Sequence, residues 1–119
     1  MNRYYNEIGV NIHTENMGDD LCITICGGDK PHIGSVSIAE PRESLQKDGN
    51  LSATVSTYNF LGHKDNVISD QVAYELAKTL NKKTVIICGV HYEKPDEYVI
   101  ERVLNWIPQI IKDISEEQI

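Results

Sequence analysis

The hydrophobic period of this chain changes at Asp65, and that change restricts what it can fold into. Through residues 4–61 apolar side chains recur mostly at every second position, whereas from Asp65 to Leu80 they recur at helical spacing. In "YYNEIGVNIHT", Ile8, Val10 and Ile12 stand opposite Glu7, Gly9, Asn11 and His13, the pattern of one half-buried strand over residues 4–14. The turn chemistry of "ENMGDD" follows. Then "LCITICGGD" resumes the alternation, with Leu21, Ile23 and Ile25 opposite Cys22, Thr24 and Cys26, so the two strands read as a hairpin.

Gly27-Gly28-Asp29 reads as a second turn and "HIGSVSIAEP" as a third strand. Ile33 and Val36 differ in parity within it, which points to a bulge or a close backbone approach at Gly34. Pro41, lacking an amide donor, is expected to end the ladder. "RESLQKDGN" is a polar loop, and "LSATVSTYNFLG" is a fourth strand rich in Thr, Val and Tyr.

In "DNVISDQVAYELAKTLNK" Ile68, Val72, Leu76 and Leu80, with Ala73 and Ala77, form one helical stripe. "KTVIICGV" is a short apolar run of the kind shielded on both faces of a sheet. The last segment, "YEKPDEYVIERVLNWIPQIIKDISEEQ", reads as a long helix with Pro95 near its start and Val99, Val103, Ile107, Ile110 and Ile114 on its buried side. Pro108 inside that pattern predicts a kink or break. Trp106 fits core or interface better than a cofactor stack.

The expected architecture is a single α+β domain over residues 1–119. Its mostly antiparallel sheet has the order β-β-β-β-α-β-α, with both helices packed on one face as a two-layer sandwich. A length of 119 residues with 40% hydrophobic composition suits one core and not two. Pairing of sheet edges between copies offers a route to a homodimer or higher homo-oligomer.

Eighteen Asp and Glu against 11 Lys and Arg give a net charge of −7, and no basic cluster exists beyond Lys82-Lys83, which argues against nucleic acid as a partner. No apolar run approaches the roughly 18 residues of a membrane span. The start "MNRYYNEIGVNIHTEN" has no apolar core like that of a signal peptide, so no membrane association and a cytoplasmic location are expected. Cys22, Cys26 and Cys88 form no paired C-x-x-C, which implies neither a disulfide framework nor a zinc ribbon. Cys22 and Cys26 lie about 13 Å apart along one strand, too far to share a bond. Free, mostly buried thiols are expected, Cys88 among them as a small hydrophobe. Phosphate-cradling glycine loops and a nucleophile elbow are absent from the sequence.

The distinctive motif is Gly62-His63-Lys64-Asp65, placed directly before the first helical stripe. Asp65 reads as an N-cap whose side chain accepts from the amides of Val67 or Ile68. Gly62 supplies conformational freedom at the end of a strand. His63 and Lys64 stand beside the positive end of the helix dipole, an unfavourable place for a cation unless an anion joins it. Free amides, an imidazole and an ammonium together suit a phosphate or carboxylate. His32 in "KPHIG" and His91 in "CGVHYEKP" are loop histidines that would reach the same sheet end if the strands bring them together. Their spacing supports no metal site.

Three pieces of the sequence, "GGDKPHIGSVSIAEP", "SATVSTYNFLGHKDNVISDQVAYELAKTLNKKTVIICGVHYE" and the last helix, resemble the family of prenylated-flavin chaperones, the D subunit of gallate-type decarboxylase systems. The likeness runs over roughly residues 26–107. It rests on Pro31 to Gly34, Gly62 to Asp65 and Gly89 to His91. The family pattern follows Gly-Ile-His with an Asp-Asn pair; Tyr92-Glu93-Lys94 departs from it, so a polar role for that loop does not carry over. The architecture also resembles small proteasome-assembly chaperones.

The resemblance implies a non-catalytic accessory protein of a decarboxylase dependent on prenylated flavin mononucleotide (FMN), serving cofactor delivery, maturation or subunit assembly. Its implied partners are a large decarboxylase subunit and a flavin-type small molecule, prenylated FMN or FMN. His32, Gly34, Gly62, His63, Lys64, Asp65 and His91 are then the ligand-binding candidates, with no catalytic residue and no metal. An alternative is a small enzyme that acts on a phosphate- or carboxylate-bearing substrate through His63 and Lys64. A third reading is a structural dimer whose motif reflects only turn and cap geometry.

Overall fold

The structure is a computed structural model that describes residues 1–46, 48–61, 65–93 and 97–118, with side chains for all of these except 97–100. Six strands and two helices follow one another as β1 (Asn2–Tyr5), β2 (Val10–Met17), β3 (Asp20–Gly28), β4 (Ser35–Glu43), β5 (Leu51–Asn59), α1 (Asn66–Leu80), β6 (Thr84–His91) and α2 (Glu97–Gln118). The architecture is α+β, as expected. It departs from the expected strand order in two ways, each with an identifiable cause.

The expected first strand is two strands. The Ile8 amide donates to the Tyr5 carbonyl at 3.2 Å, and Gly9 takes φ +64°, which closes a turn between β1 and β2. The alternation of Ile8, Val10 and Ile12 persists through the turn because all three side chains remain in the core.

The second departure is in pairing. The sheet order is β1-β2-β3-β6-β4-β5, and β6 enters between β3 and β4, parallel to β3 from Leu21↔Thr84 to Gly28↔His91 and antiparallel to β4. The sheet is therefore mixed, and not the antiparallel meander expected from four successive strands. Sequence-adjacent β3 and β4 never meet. The apolar segment "TVIICGV" takes a central place, with Ile86 and Cys88 buried beneath the helices and Val85 and Ile87 half-buried on the other face, so the expected shielding on both faces is met on one only, while β4 and β5, richer in Ser and Thr, lie further out.

Pro41 also differs from expectation. It lies inside β4, opposite Ala53, rather than beyond its end. The amides of Phe60 and Ser44 donate to Gly34 and Asn50, so the even residues of β4 and β5 bond to each other. Pro41 thus turns its nitrogen to the β6 side, where pairing has already ended at Ala39↔Thr84. It ends the β6 ladder and leaves the β5 ladder intact.

One sheet face is buried beneath the helices. Ile12, Ile23, Ile25, Ile86 and Cys88 from the strands share a single core with Val72 and Leu76 of α1 and with Ile107, Ile110 and Ile114 of α2. α1 packs over β4, β5 and β6, while α2 is tied to the β1–β2 edge by Tyr5 Oη donating to Asp113 Oδ2 at 2.7 Å and Thr14 Oγ1 donating to Glu117 Oε1 at 3.2 Å. Trp106 meets the Tyr5 ring edge-on at 5.8 Å. α2 runs unbroken through Pro108, an exposed position, so the expected break is not made. Pro95 and the Val99 side chain lie outside the described residues. α1 ends at Asn81, which adopts the left-handed conformation at φ 54°, ψ 49° that stops a helix.

Candidate functional site

The parallel pairing of β3 with β6 brings two strand carboxyl ends together, and the start of β4 and the start of α1 reach the same place. His32, Gly34, Asp65 and His91 all lie there; Gly62, His63 and Lys64 lie outside the described residues. Two of the three expected histidines therefore share one sheet end, and their rings meet edge-on with centroids 6.2 Å apart.

Asp65 organises this end, though not as a side-chain cap. It precedes the first helical residue with φ −67° and ψ −17°, and its side chain makes no capping hydrogen bond. Its own carbonyl accepts the amides of Ile68 and Ser69, each at 3.0 Å, which starts α1. The carboxylate turns back onto the sheet: Oδ1 accepts the Val90 amide at 2.8 Å and Oδ2 meets His32 Nε2 at 3.2 Å. With 5% of its surface exposed, it is a buried carboxylate satisfied by a backbone amide and an imidazole. The expectation that it caps Val67 or Ile68 is corrected accordingly. Tertiary donors outcompete the local amides because β6 ends within reach.

His32 is half-buried, and both of its ring nitrogens face oxygen acceptors, Nδ1 at 2.9 Å from the Lys30 carbonyl and Nε2 at the Asp65 carboxylate. The ring is thereby held between a backbone carbonyl and a carboxylate, which fixes its orientation at this sheet end. His91 anchors the same loop through its backbone, its carbonyl accepting the amides of Asp29 at 2.7 Å and Lys30 at 3.3 Å. Its own ring is exposed.

Two glycines make this closeness possible. A β-carbon on Gly34 would lie 1.8 Å from Asp65 Oδ2, and one on Gly89 would lie 1.6 Å from the His32 carbonyl oxygen. The Gly34 amide donates to Cys88 on one side while its carbonyl accepts Phe60 on the other, a local break in strand regularity at the position where parity fails in the sequence. Gly89 was readable only as part of the Gly89–His91 motif. Nothing in its immediate neighbours announces that another segment crosses it.

Behind the clasp lies Cys88, fully buried. Burial, and then the negative charge of Asp65, push its thiol well above the ordinary range, so it is a packed thiol and no nucleophile. Beneath α1 the hydroxyls of Ser35, Ser37 and Ser69 are buried and bonded to one another, with Ser37 also donating to Asp70 Oδ1 at 2.7 Å. This network went unread in the sequence, where two serines inside a strand and one in a helical stripe look like ordinary interruptions. Among the described residues no group of three His, Cys, Asp or Glu side chains is placed to hold a metal.

Two concavities among the described residues lie elsewhere. A cleft of about 580 Å³ opens between the β1–β2 turn and α2, lined by Tyr4, Tyr5, Trp106, Gln109 and Asp113 among others. A second, about 260 Å³, reaches from Tyr4 to Gly28, Asp29, Tyr92 and Arg102, and so borders the histidine end without including either histidine.

Residues 5–118 match the family profile described as the prenylated flavin chaperone LpdD-like domain. Protein LpdD of Lactiplantibacillus plantarum is 31% identical over 81 residues, an alignment covering 63% of this chain and 52% of that protein, so the match spans about half the length of this curated relative. Among solved structures, a chain in the crystal structure of a novel chaperone complex for yeast 20S proteasome assembly superposes with a TM-score of 0.63 at 10% identity, covering 99% of this chain and 94% of that one. The last likeness is one of fold.

Proposed function

Because the chain belongs to the prenylated flavin chaperone LpdD-like family, we propose that it is a non-catalytic accessory protein for a prenylated-FMN-dependent decarboxylase. On this reading it presents the His32–Asp65–His91 end of its sheet to the large subunit during cofactor loading or assembly. The observation that carries the reading is the Asp65 clasp, because the only buried carboxylate in the described site is spent on the Val90 amide and His32. A general acid or base needs a proton that can leave and return, and Asp65 is instead a fastener. The thiol nearest to it, Cys88, is buried and held protonated.

The described residues meet a flavin's needs only in part. His32 and His91 supply donors that suit a phosphate, but Asp65 places a carboxylate among them and neither cleft includes these side chains. His63 and Lys64 enter the proposal from sequence alone, as the cations adjacent to Asp65, and so does the alternative of a small enzyme built on that pair.

The test is reconstitution of a decarboxylase large subunit with prenylated FMN, with and without this chain. The expected result is faster or fuller appearance of decarboxylase activity with the wild-type chain, and loss of that assistance with His32→Ala or His91→Ala, whose own melting temperatures serve as folding controls. An identical yield of active decarboxylase without the chain would sink the accessory reading. Titration of FMN and prenylated FMN into wild type and Lys64→Ala separates cofactor binding from partner binding, since equal affinity removes the phosphate role.

A further inference from the structure

The two edges of the sheet are unlike. β1 is four residues long and carries Arg3, whereas β5 is nine residues long, from Leu51 to Asn59, with neither a charge nor a proline. No Lys, Arg, Asp or Glu occurs between Asp48 and Lys64, in a chain that is 24% charged. A long, regular, uncharged edge is what soluble sheets ordinarily avoid, by shortness, charge, proline or a bulge. β5 pairs with β4 through all nine residues without a bulge, and so has none of these protections.

The register shows which backbone groups this edge offers. Even residues of β5 bond to β4, as Phe60 donating to Gly34 at 2.8 Å and Ser44 donating to Asn50 at 3.0 Å establish at the two ends. Ala53, Val55 and Thr57 therefore turn their amides and carbonyls outward, where no strand lies among the described residues. The middle residue of the nine is Val55, which is one of these.

From this we infer that β5 is a homodimer seam, in which two copies pair antiparallel about a two-fold axis at Val55. An axis there sets Val55 opposite Val55 of the second copy and Ala53 opposite Thr57, forming about six backbone hydrogen bonds and joining two six-stranded sheets into one. Residues 52–57, Ser-Ala-Thr-Val-Ser-Thr, are all small enough for two backbones to approach at strand spacing. Charge selects the occupant. At −7 per chain most surfaces of this protein repel a second copy, and this edge brings no like charges face to face. The nearest helix carboxylate, Asp70, is held by the Ser37 and Thr57 hydroxyls. The exposed Tyr58 and Phe60, stacked edge-on at 5.0 Å, flank the seam.

Sedimentation equilibrium of the intact chain tests this. Wild type is expected at twice 13.4 kDa, and Val55→Pro at 13.4 kDa with unchanged circular dichroism. Proline at 55 removes only an outward amide and leaves the β4 ladder whole. Ser56→Glu, at an exposed side chain next to the axis, should also halve the mass by repulsion, and it guards against a folding defect in the proline variant. Amide exchange at Ala53 and Thr57 should be slow in wild type and fast in both variants, and at Val55 slow in wild type and fast in Ser56→Glu. A monomeric wild type overturns the seam, whatever then occupies the edge, as does a dimer whose 53, 55 and 57 amides exchange freely or one that survives both substitutions.

Discussion

At the residue scale, the decisive side chain is Asp65, and its neighbours make its role testable. If the carboxylate matters for reaching Val90 and His32, then Asp65→Ser, an excellent N-cap residue, should fail to restore stability, while Asp65→Asn should retain part of it. Asp65→Ala is expected to cost about 1–3 kcal/mol in urea denaturation, the range for stranding a buried donor. Equal stability of the Ser variant and wild type would return Asp65 to simple capping. The glycines grade in the same way. Gly89→Ala drives a β-carbon into the His32 backbone, whereas Gly34→Ala meets the end of the Asp65 side chain. The first should therefore cost more than the second, both within or above the roughly 1–3 kcal/mol of overpacking, with denaturation midpoints as the measure. The sequence marked Gly34, His32, Asp65 and His91 as noteworthy because each breaks a local pattern. It left unread that Asp65 faces β6, since no local rule sets a helix start against the end of a strand 25 residues later.

At the scale of elements, α2 carries a visible flaw. Pro108 lies in mid-helix with its ring exposed, and it leaves the carbonyl one turn earlier without its helical amide. Pro108→Ala should therefore raise stability by about 1–3 kcal/mol, read as a higher melting temperature, because nothing in the core is disturbed. A fall in stability would mean that the proline is fitted to the packing of α2. Sequence periodicity located both helices and most strands, because burial on one face writes itself into the chain at period two or 3.6. It failed at the join of β1 and β2, where Ile8 stays buried through a turn and preserves the alternation. It also failed for Pro41, where the missing amide proved harmless on the side that has no partner.

At the scale of the whole molecule, α2 is held to the sheet edge through Asp113, which accepts Tyr5 Oη and Gln109 Nε2 and pairs with Arg3 at 3.1 Å. Burial alone would raise the Asp113 carboxyl, but the hydrogen bonds from Tyr5 and Gln109 and the charges of Arg3 and Lys112 outweigh it and hold the carboxyl below the usual range. A carboxyl depressed by folding contributes stability that is complete above its unfolded value, near 4, and is lost as pH falls through the lower folded one. Asp113→Asn should therefore be less stable than wild type at neutral pH, and the gap should narrow below about pH 4 in urea midpoints measured across that window. For Tyr5 burial comes first, and the hydrogen bond and charge of Asp113 add to it, raising the phenol above its ordinary 10.0. Its contribution is complete below about pH 10 and declines in stronger base. The family role rests on the molecule as a whole, since the profile match runs over residues 5–118 while the clasp occupies one end. By itself the sequence determined the class of elements, the single core and which residues were out of place at the motif, because local sterics and one-sided burial are properties of short segments. Strand order, the parallel insertion of β6 and the partner of Asp65 were decided only by tertiary structure, because each depends on which distant segment wins a shared hydrogen-bonding edge.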